Sequence, residues 1–357
     1  MCAVRVGCLC ARWPVPVAAA AAVIAQSGCE SFLESPASHT GHLQQARQFL
    51  DQGLTDSAWA SFGLALEANP KLVDAHVGMG WIYHDWNKDV LAHRSFETAT
   101  GLDPTHYEAH YGLGLTKQVL GWVQDAVAVY LRALALRPSS FEVNHHLAGA
   151  YIMLDRIEEA LPYAEIATRL NPDHQGAWAN LAATYRHTGD YEKAVNAYRR
   201  AAELGDPADP ILLGMADAHI QLGRFERAVV VLRNQNRRSP SATAYERLGY
   251  CQFKLRQFDD ALASFRAAMS IDQKDTAALN GLGACLMTLH IQSKEKFESQ
   301  RHDALKAWQR SIALRPNQPR IATLIKRYGA ETKKPSRITH DPAAIRDVQL
   351  TAPATRD

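Results

Sequence analysis

The chain has 357 residues, of which 47% are hydrophobic and 21% charged, and its formal net charge is +2. This is globular material, enough for two conventional domains or one extended array. The near balance of charge excludes a global field that would draw in nucleic acid or an acidic membrane surface, and the short basic runs 233–238 and 333–337 read as solvated surface and tail.

Residues 1–12 carry Arg5 and Arg12 and no acid, and 13–25 is an uninterrupted apolar run. That run is shorter than the ~20 residues a membrane-crossing helix needs. A basic start, a short apolar stretch and the small residues that follow have the layout of a secretory signal, which predicts an exported chain. Ser27-Gly28-Cys29 resembles the box of bacterial lipoproteins, in which the cysteine is acylated and becomes the new N-terminus. Gln26 departs from the aliphatic residue usual there. Three outcomes stay open: lipidation of Cys29 after removal of 1–28, simple cleavage after Ala25, and an uncleaved start. The first places the chain in the bacterial periplasm or cell envelope, held to a membrane through Cys29, with 29–38 as linker. Of the six cysteines, Cys2, Cys8, Cys10 and Cys29 lie in this segment; Cys251 and Cys285, about one repeat apart, are expected to be unbridged buried thiols.

From residue 39 onward the sequence repeats at a step of 34. Ala58, Ala92, Ala126, Ala160, Ala194 and Ala228 form one column, and Pro70, Pro104, Pro138 and Pro172 another. A third holds only the smallest residues: Ala46, Gly80, Gly114, Ala148, Ala182, Ala216, Gly249 and Gly283. A fourth is bulky in most repeats: Phe62, Phe96, Tyr130, Ala164, Tyr198, Leu232, Phe265 and Trp308. Within each period the apolar residues recur at helical spacing, so two amphipathic helices per repeat are expected. Gly53, Gly121, Gly189 and Gly223 mark the turn between them, and the proline ends the second helix.

These columns resemble the tetratricopeptide-repeat signature, met best by Trp178, Leu181, Ala182, Tyr185, Ala194, Tyr198 and Ala201. The resemblance implies an all-α, right-handed α-solenoid of about eight helix-turn-helix repeats, at 39–72, 73–106, 107–140, 141–174, 175–208, 209–241, 242–275 and 276–318. The last repeat is longer than the period by a polar stretch at 290–302, read either as a longer helix pair or loop, or as a partner contact. Residues 319–330 are predicted to form a capping helix, and 331–357 a disordered tail.

No phosphate loop, nucleophile elbow or paired-carboxylate arrangement stands out, and once signal, repeats and tail are removed nothing remains for a catalytic domain. The chain is therefore expected not to be an enzyme and to need no cofactor or metal. His106 and His110 are spaced His-x-Glu-x-His, unlike the zincin motif, and His42, His76 and His110 share one column, which favours packing over ligation.

The resemblance implies a binding face on the inner wall, made by first helices. Carried over residue by residue it comprises Val77, Trp81, His84, Tyr111, Leu115, Val119, His145, His146, Ile152, Met153, Asn180, Arg186, His187, Tyr250 and Phe253. The alternative for any of them is burial between tightly wound repeats. The lysine and asparagine clamp of chaperone-binding members is absent, and the asparagine ladder of sugar-transferring members is represented by Asn180 alone. The expected function is a non-catalytic cell-envelope scaffold binding a peptide or partner subunit in its groove. The other reading is a structural or regulatory subunit that docks by its outer surface or by 290–302. An enzyme would rest only on the scattered histidines.

Overall fold

The computed structural model describes residues 38–293 and 298–329, and among them every regular element is helical. The leader with Cys29 and the segment 331–357 lie outside the described residues. The helices are α1 (His39–Asp51), α2 (Thr55–Ala68), α3 (Val73–Asp85), α4 (Asp89–Leu102), α5 (Tyr107–Val119), α6 (Val123–Leu136), α7 (Phe141–Met153), α8 (Ile157–Leu170), α9 (Gln175–His187), α10 (Tyr191–Glu203), α11 (Asp209–Gln221), α12 (Phe225–Arg238), α13 (Ala242–Lys254), α14 (Phe258–Ile271), α15 (Thr276–Gln292), α16 (Glu298–Leu314) and α17 (Pro319–Gly329). Each packs on the next in the chain, and most odd-numbered helices also touch the following odd-numbered one. Even-numbered helices make no comparable contact with one another. The array therefore curves with odd helices inside and even helices outside, an α-solenoid.

Two turns recur. Inside each of the first seven repeats one residue has positive φ: Gly53, Asn87, Gly121, Asp155, Gly189, Gly223 and Arg256. The next N–H then bonds back to the carbonyl five residues earlier, as in Leu54 to Phe49 at 2.8 Å and Gln257 to Gln252 at 2.8 Å. This left-handed stop satisfies carbonyls that a helix end would otherwise leave bare. Glycine suits it, but Asn87, Asp155 and Arg256 accept the conformation as well, so the turn column is broader than its glycines.

Between repeats, the side chains of Asn69, Asp103, Asn171 and Asp272 accept the N–H two residues on. Ser38, His106, Ser140, His174, Ser241 and Asp275 then cap the next odd helix. His76 and His110 donate from Nε2 to the carbonyls of Pro70 and Pro104 at 2.8 and 2.9 Å, and Trp178 donates to that of Pro172 at 2.8 Å. The histidine column thus braces the turn, and the two members of the His-x-Glu-x-His pair serve as cap and brace.

The small and bulky columns meet. A Cβ added to Gly80 would stand 2.8 Å from the Phe96 ring, one on Gly114 2.6 Å from Tyr130, and one on Gly283 2.4 Å from Trp308. The same rings also press on the next odd helix, where Gly112 would meet Phe96 at 2.4 Å and Gly281 would meet Phe265 at 2.3 Å. Each ring sits in a slot between two odd helices, fully or almost fully buried. Burying one such side chain contributes about 1.5–3 kcal/mol.

The excess length at 290–302 is taken up mainly as helix: α15 and α16 have 17 residues each, where the other paired helices have 13 or 14. His290 and Arg301 are buried in these extensions. Helix α17 covers the end of the array with Leu324 and Tyr328, the latter beside Trp308. Cys251 and Cys285 are unbridged and buried, which pushes both thiols up from their ordinary value.

Glycines of the same chain are expected to respond in opposite directions. Gly63 and Gly101 lie in helices with nothing within 4 Å of an added Cβ. Replacing either by Ala should raise stability by about 0.5–1 kcal/mol, whereas Gly112→Ala or Gly281→Ala should cost about 1–3 kcal/mol, read as urea midpoints. Arg256, exposed and at φ 62°, should gain about 0.5–1 kcal/mol on replacement by Gly.

Candidate functional site

The inner wall is built by odd helices held at a fixed spacing by the ring slots, so residues at one repeat position form a row along it. In the N-terminal half, rings from neighbouring positions on this wall join into one continuous aromatic row. Trp81 stands edge-on to Phe96 at 5.0 Å between centroids and lies 5.7 Å from Tyr111. Tyr111 is 5.8 Å from His146, His146 is 5.2 Å from His145, and His145 is 4.8 Å from His174. His84 flanks Trp81 at 6.2 Å and is fixed by Asp89, 2.7 Å from its Nδ1. Phe141 closes the far end, 4.8 Å from His174. Three successive odd helices and the cap of the next thus share one ladder of rings.

Its middle departs from the regular slot. Opposite Tyr130 the next odd helix carries His146 where other repeats have glycine, and the two rings stack at 6.0 Å. Tyr130 donates its hydroxyl to Gln118 at 2.8 Å. One repeat on, the bulky column holds Ala164 and the glycine column Asn180. Its amide donates to the His145 carbonyl at 3.2 Å and lies 3.4 Å from His145 Nδ1.

Burial sets the protonation here. It holds the His145 imidazole at about 4, with His146 and His174 adding to the effect, and lowers His146 as well, against the pull of Glu142. Tyr111 is pushed up to about 12 by burial. At neutral pH His145, His146 and Tyr111 are therefore uncharged, and the middle of the ladder is an aromatic surface with a few amide groups. Such a surface suits apolar side chains oriented by a small number of hydrogen bonds.

The C-terminal half differs. Arg186 reaches Nε2 of His187 at 2.7 Å, and behind them Arg247 and Asp217 form an ion pair at 2.8 Å, each under one tenth exposed. Burial raises the Asp217 carboxyl, against the attraction of Arg247 and Arg186. Removing one partner would strand a buried charge, at a cost of about 3–5 kcal/mol.

The expected site residues fall into four groups. Trp81, His84, Tyr111, His145, His146 and Asn180 are brought together. Leu115 and Ile152 are half-buried, while Val119 and Met153 are exposed at the edge, where Gln118 donates to the Met153 sulfur at 3.6 Å; Arg186 and His187 form the separate polar patch. Val77, Tyr250 and Phe253 do not face the groove. Val77 is covered in the cluster it shares with Phe96 and Leu113, where Gly112 lets α5 close on the Phe96 ring. Tyr250 packs against Phe225 at 6.1 Å, and Phe253 against Phe258 at 5.5 Å. Sequence reasoning missed His174 and Phe141, which lie at a cap and a first helical position, and missed the buried pair Asp217 and Arg247. The pairing of Arg247 with an acid one repeat earlier was the available signal. Among the described residues no cluster of three or more metal-ligating side chains forms.

Because His145 binds its proton less readily folded than unfolded, its contribution to stability is present above the ordinary value of 6.5 and is lost as pH falls from there toward about 4. The urea midpoint should fall through that window, and His145→Phe should flatten the fall.

The sequence matches the family model for the tetratricopeptide repeat over residues 91–141 and 147–210, and that for anaphase-promoting complex, cyclosome, subunit 3 over 189–268. Among curated proteins it is similar to protein CTR9 homolog of Arabidopsis thaliana, 29% identical over 97 residues, covering 27% of this chain and 9% of that protein. It is also similar to small glutamine-rich tetratricopeptide repeat-containing protein 2 of Mycosarcoma maydis, 26% identical over 96 residues, covering 27% of each. The matched stretch is thus a small part of these relatives. Among solved structures, a chain of the APC/C hetero-tetramer Cut9-Hcn1 superposes with a TM-score of 0.52 at 15% identity, covering 84% of this chain and 57% of that one. Pseudomonas aeruginosa pilF gives 0.50 at 20%, covering 57% and 92%. At these identities the likeness is one of fold. The 34-residue register, the paired helices and these matches agree on a protein built of tetratricopeptide repeats.

Proposed function

We propose that the protein is a scaffold that binds a partner protein along its inner wall, with the ring ladder from Trp81 to His174 as the contact. The family is generally non-catalytic and suited to protein–protein interaction. The observation that carries the finer reading is the ladder itself, a continuous row of half-buried rings along the inner helices. It favours an extended peptide or a helix presenting apolar side chains at the repeat spacing, with Gln118 and Asn180 supplying polar contacts.

The basic and apolar leader with Ser27-Gly28-Cys29 supports a place in a bacterial cell envelope, with the chain tethered through an acylated Cys29. On that reading the partner is a subunit or peptide of an envelope assembly.

Capture from envelope fractions tests both parts. Trp81→Ala with Tyr111→Ala should weaken retention of the captured partner at least about tenfold while the helical circular-dichroism signal persists. Undiminished retention by the folded double variant would contradict the groove reading. Mass spectrometry of the mature N-terminus should find Cys29 first and acylated; an intact leader would remove the envelope assignment.

A further inference from the structure

The one repeat without a bulky residue in the slot column is also where the outer face opens. Ala164 leaves only Ala148 and Leu181 with it in the buried cluster at this boundary. A cavity of about 670 Å³ lies above, between α8 and α10, floored by α9. Trp178, Leu181 and Tyr185 form the floor, on the face of α9 turned away from Asn180 and His187, so the cavity belongs to the outer wall and not to the ladder.

The polar atoms of the floor and walls are already engaged. Trp178 Nε1 donates to the Pro172 carbonyl, the Tyr185 hydroxyl donates to Glu165 at 3.1 Å, and Thr168 Oγ1 donates to the Glu165 carbonyl at 3.0 Å. What they present to an occupant is ring and methyl surface. The lining holds three cations, Arg169, Lys193 and Arg200, and one acid, Glu165. Lys193 pairs with the exposed Asp190 at 3.0 Å and lies 5.2 Å over the Tyr185 ring, and Arg200 pairs with Asp173 at 3.3 Å and Glu203 at 3.7 Å. Arg169 is exposed and has no such partner among the described residues. The volume lies within the range of about 300–1,000 Å³ typical of ligand-binding clefts.

We propose that this cavity is a second binding site, on the outer wall, for a segment of a partner protein that carries an aromatic or branched apolar side chain flanked by carboxylates. The apolar side chain takes the floor and the carboxylates meet Arg169 and its neighbours. Such a site lets the scaffold hold two partners at once, one on each wall.

The full chain is titrated with the peptide acetyl-Glu-Asp-Phe-Leu-Asp-Glu-amide while the Trp178 indole N–H resonance is followed by NMR. A saturable shift is expected. Arg169→Glu should weaken it about fivefold or more, and Asn196→Trp, at an exposed position on the cavity wall, should abolish it. A peptide with lysines in place of the acids should not compete, and the Trp81→Ala, Tyr111→Ala variant should bind as the parent does, which keeps this test separate from the groove. No saturable shift at millimolar peptide, equal binding of the lysine peptide, indifference to both cavity variants, or loss of binding in the groove variant would each overturn the proposal.

Discussion

Everything in this array depends on one contact repeated along it: a bulky side chain from an outer helix seated between two inner helices whose small residues let it in. At Phe96 the fit is closed on both sides by Gly80 and Gly112, at Phe265 by Gly249 and Gly281. The ring fixes the distance between consecutive inner helices, and that distance sets the spacing of every row on the inner wall. The left-handed turn at one residue per repeat and the capped, aspartate- or asparagine-initiated turn between repeats then leave each helix pair little freedom but to copy the last.

The ladder of rings follows from that spacing. Tyr111 and His145 occupy one repeat position and Trp81 the position one helical turn further along α3, and the slots that hold α3, α5 and α7 apart bring these rings within reach of one another. Where the slot pattern breaks, polar chemistry enters: His146 in place of a glycine, Asn180 over Ala164, Arg247 paired with Asp217. The break at Ala164 has two faces, an amide in the groove and a cavity on the outer wall. The amide at the end of the ladder and the outer cavity thus lie on opposite sides of one substitution in the register.

Much of this was legible in the sequence, because a register of 34 exposes columns and columns expose packing. The small column, the bulky column, the alanines and the turn glycines all mean in the structure what their chemistry suggests. Asn87, Asp155 and Arg256 escaped notice as turn residues, since a left-handed conformation is not written in a side chain other than glycine. Val77, Tyr250 and Phe253 share helical positions with groove residues yet are buried, because how closely two inner helices approach depends on the residue filling the slot behind them. His174 joined the ladder unannounced: its column is a capping column, and only the geometry of the turn shows that its ring also reaches His145.

If the ring in the slot is what joins one repeat to the next, the joint that lacks one should be the weakest inside the array. Native-state hydrogen exchange measures this helix by helix. The account predicts that among the interior helices α3 to α14 the amides of α8 and α9 open at the lowest free energy, with α5 and α6, gripped by Phe96 and Tyr130, well above them. Protection in α8 and α9 equal to that in α5 and α6 would contradict it.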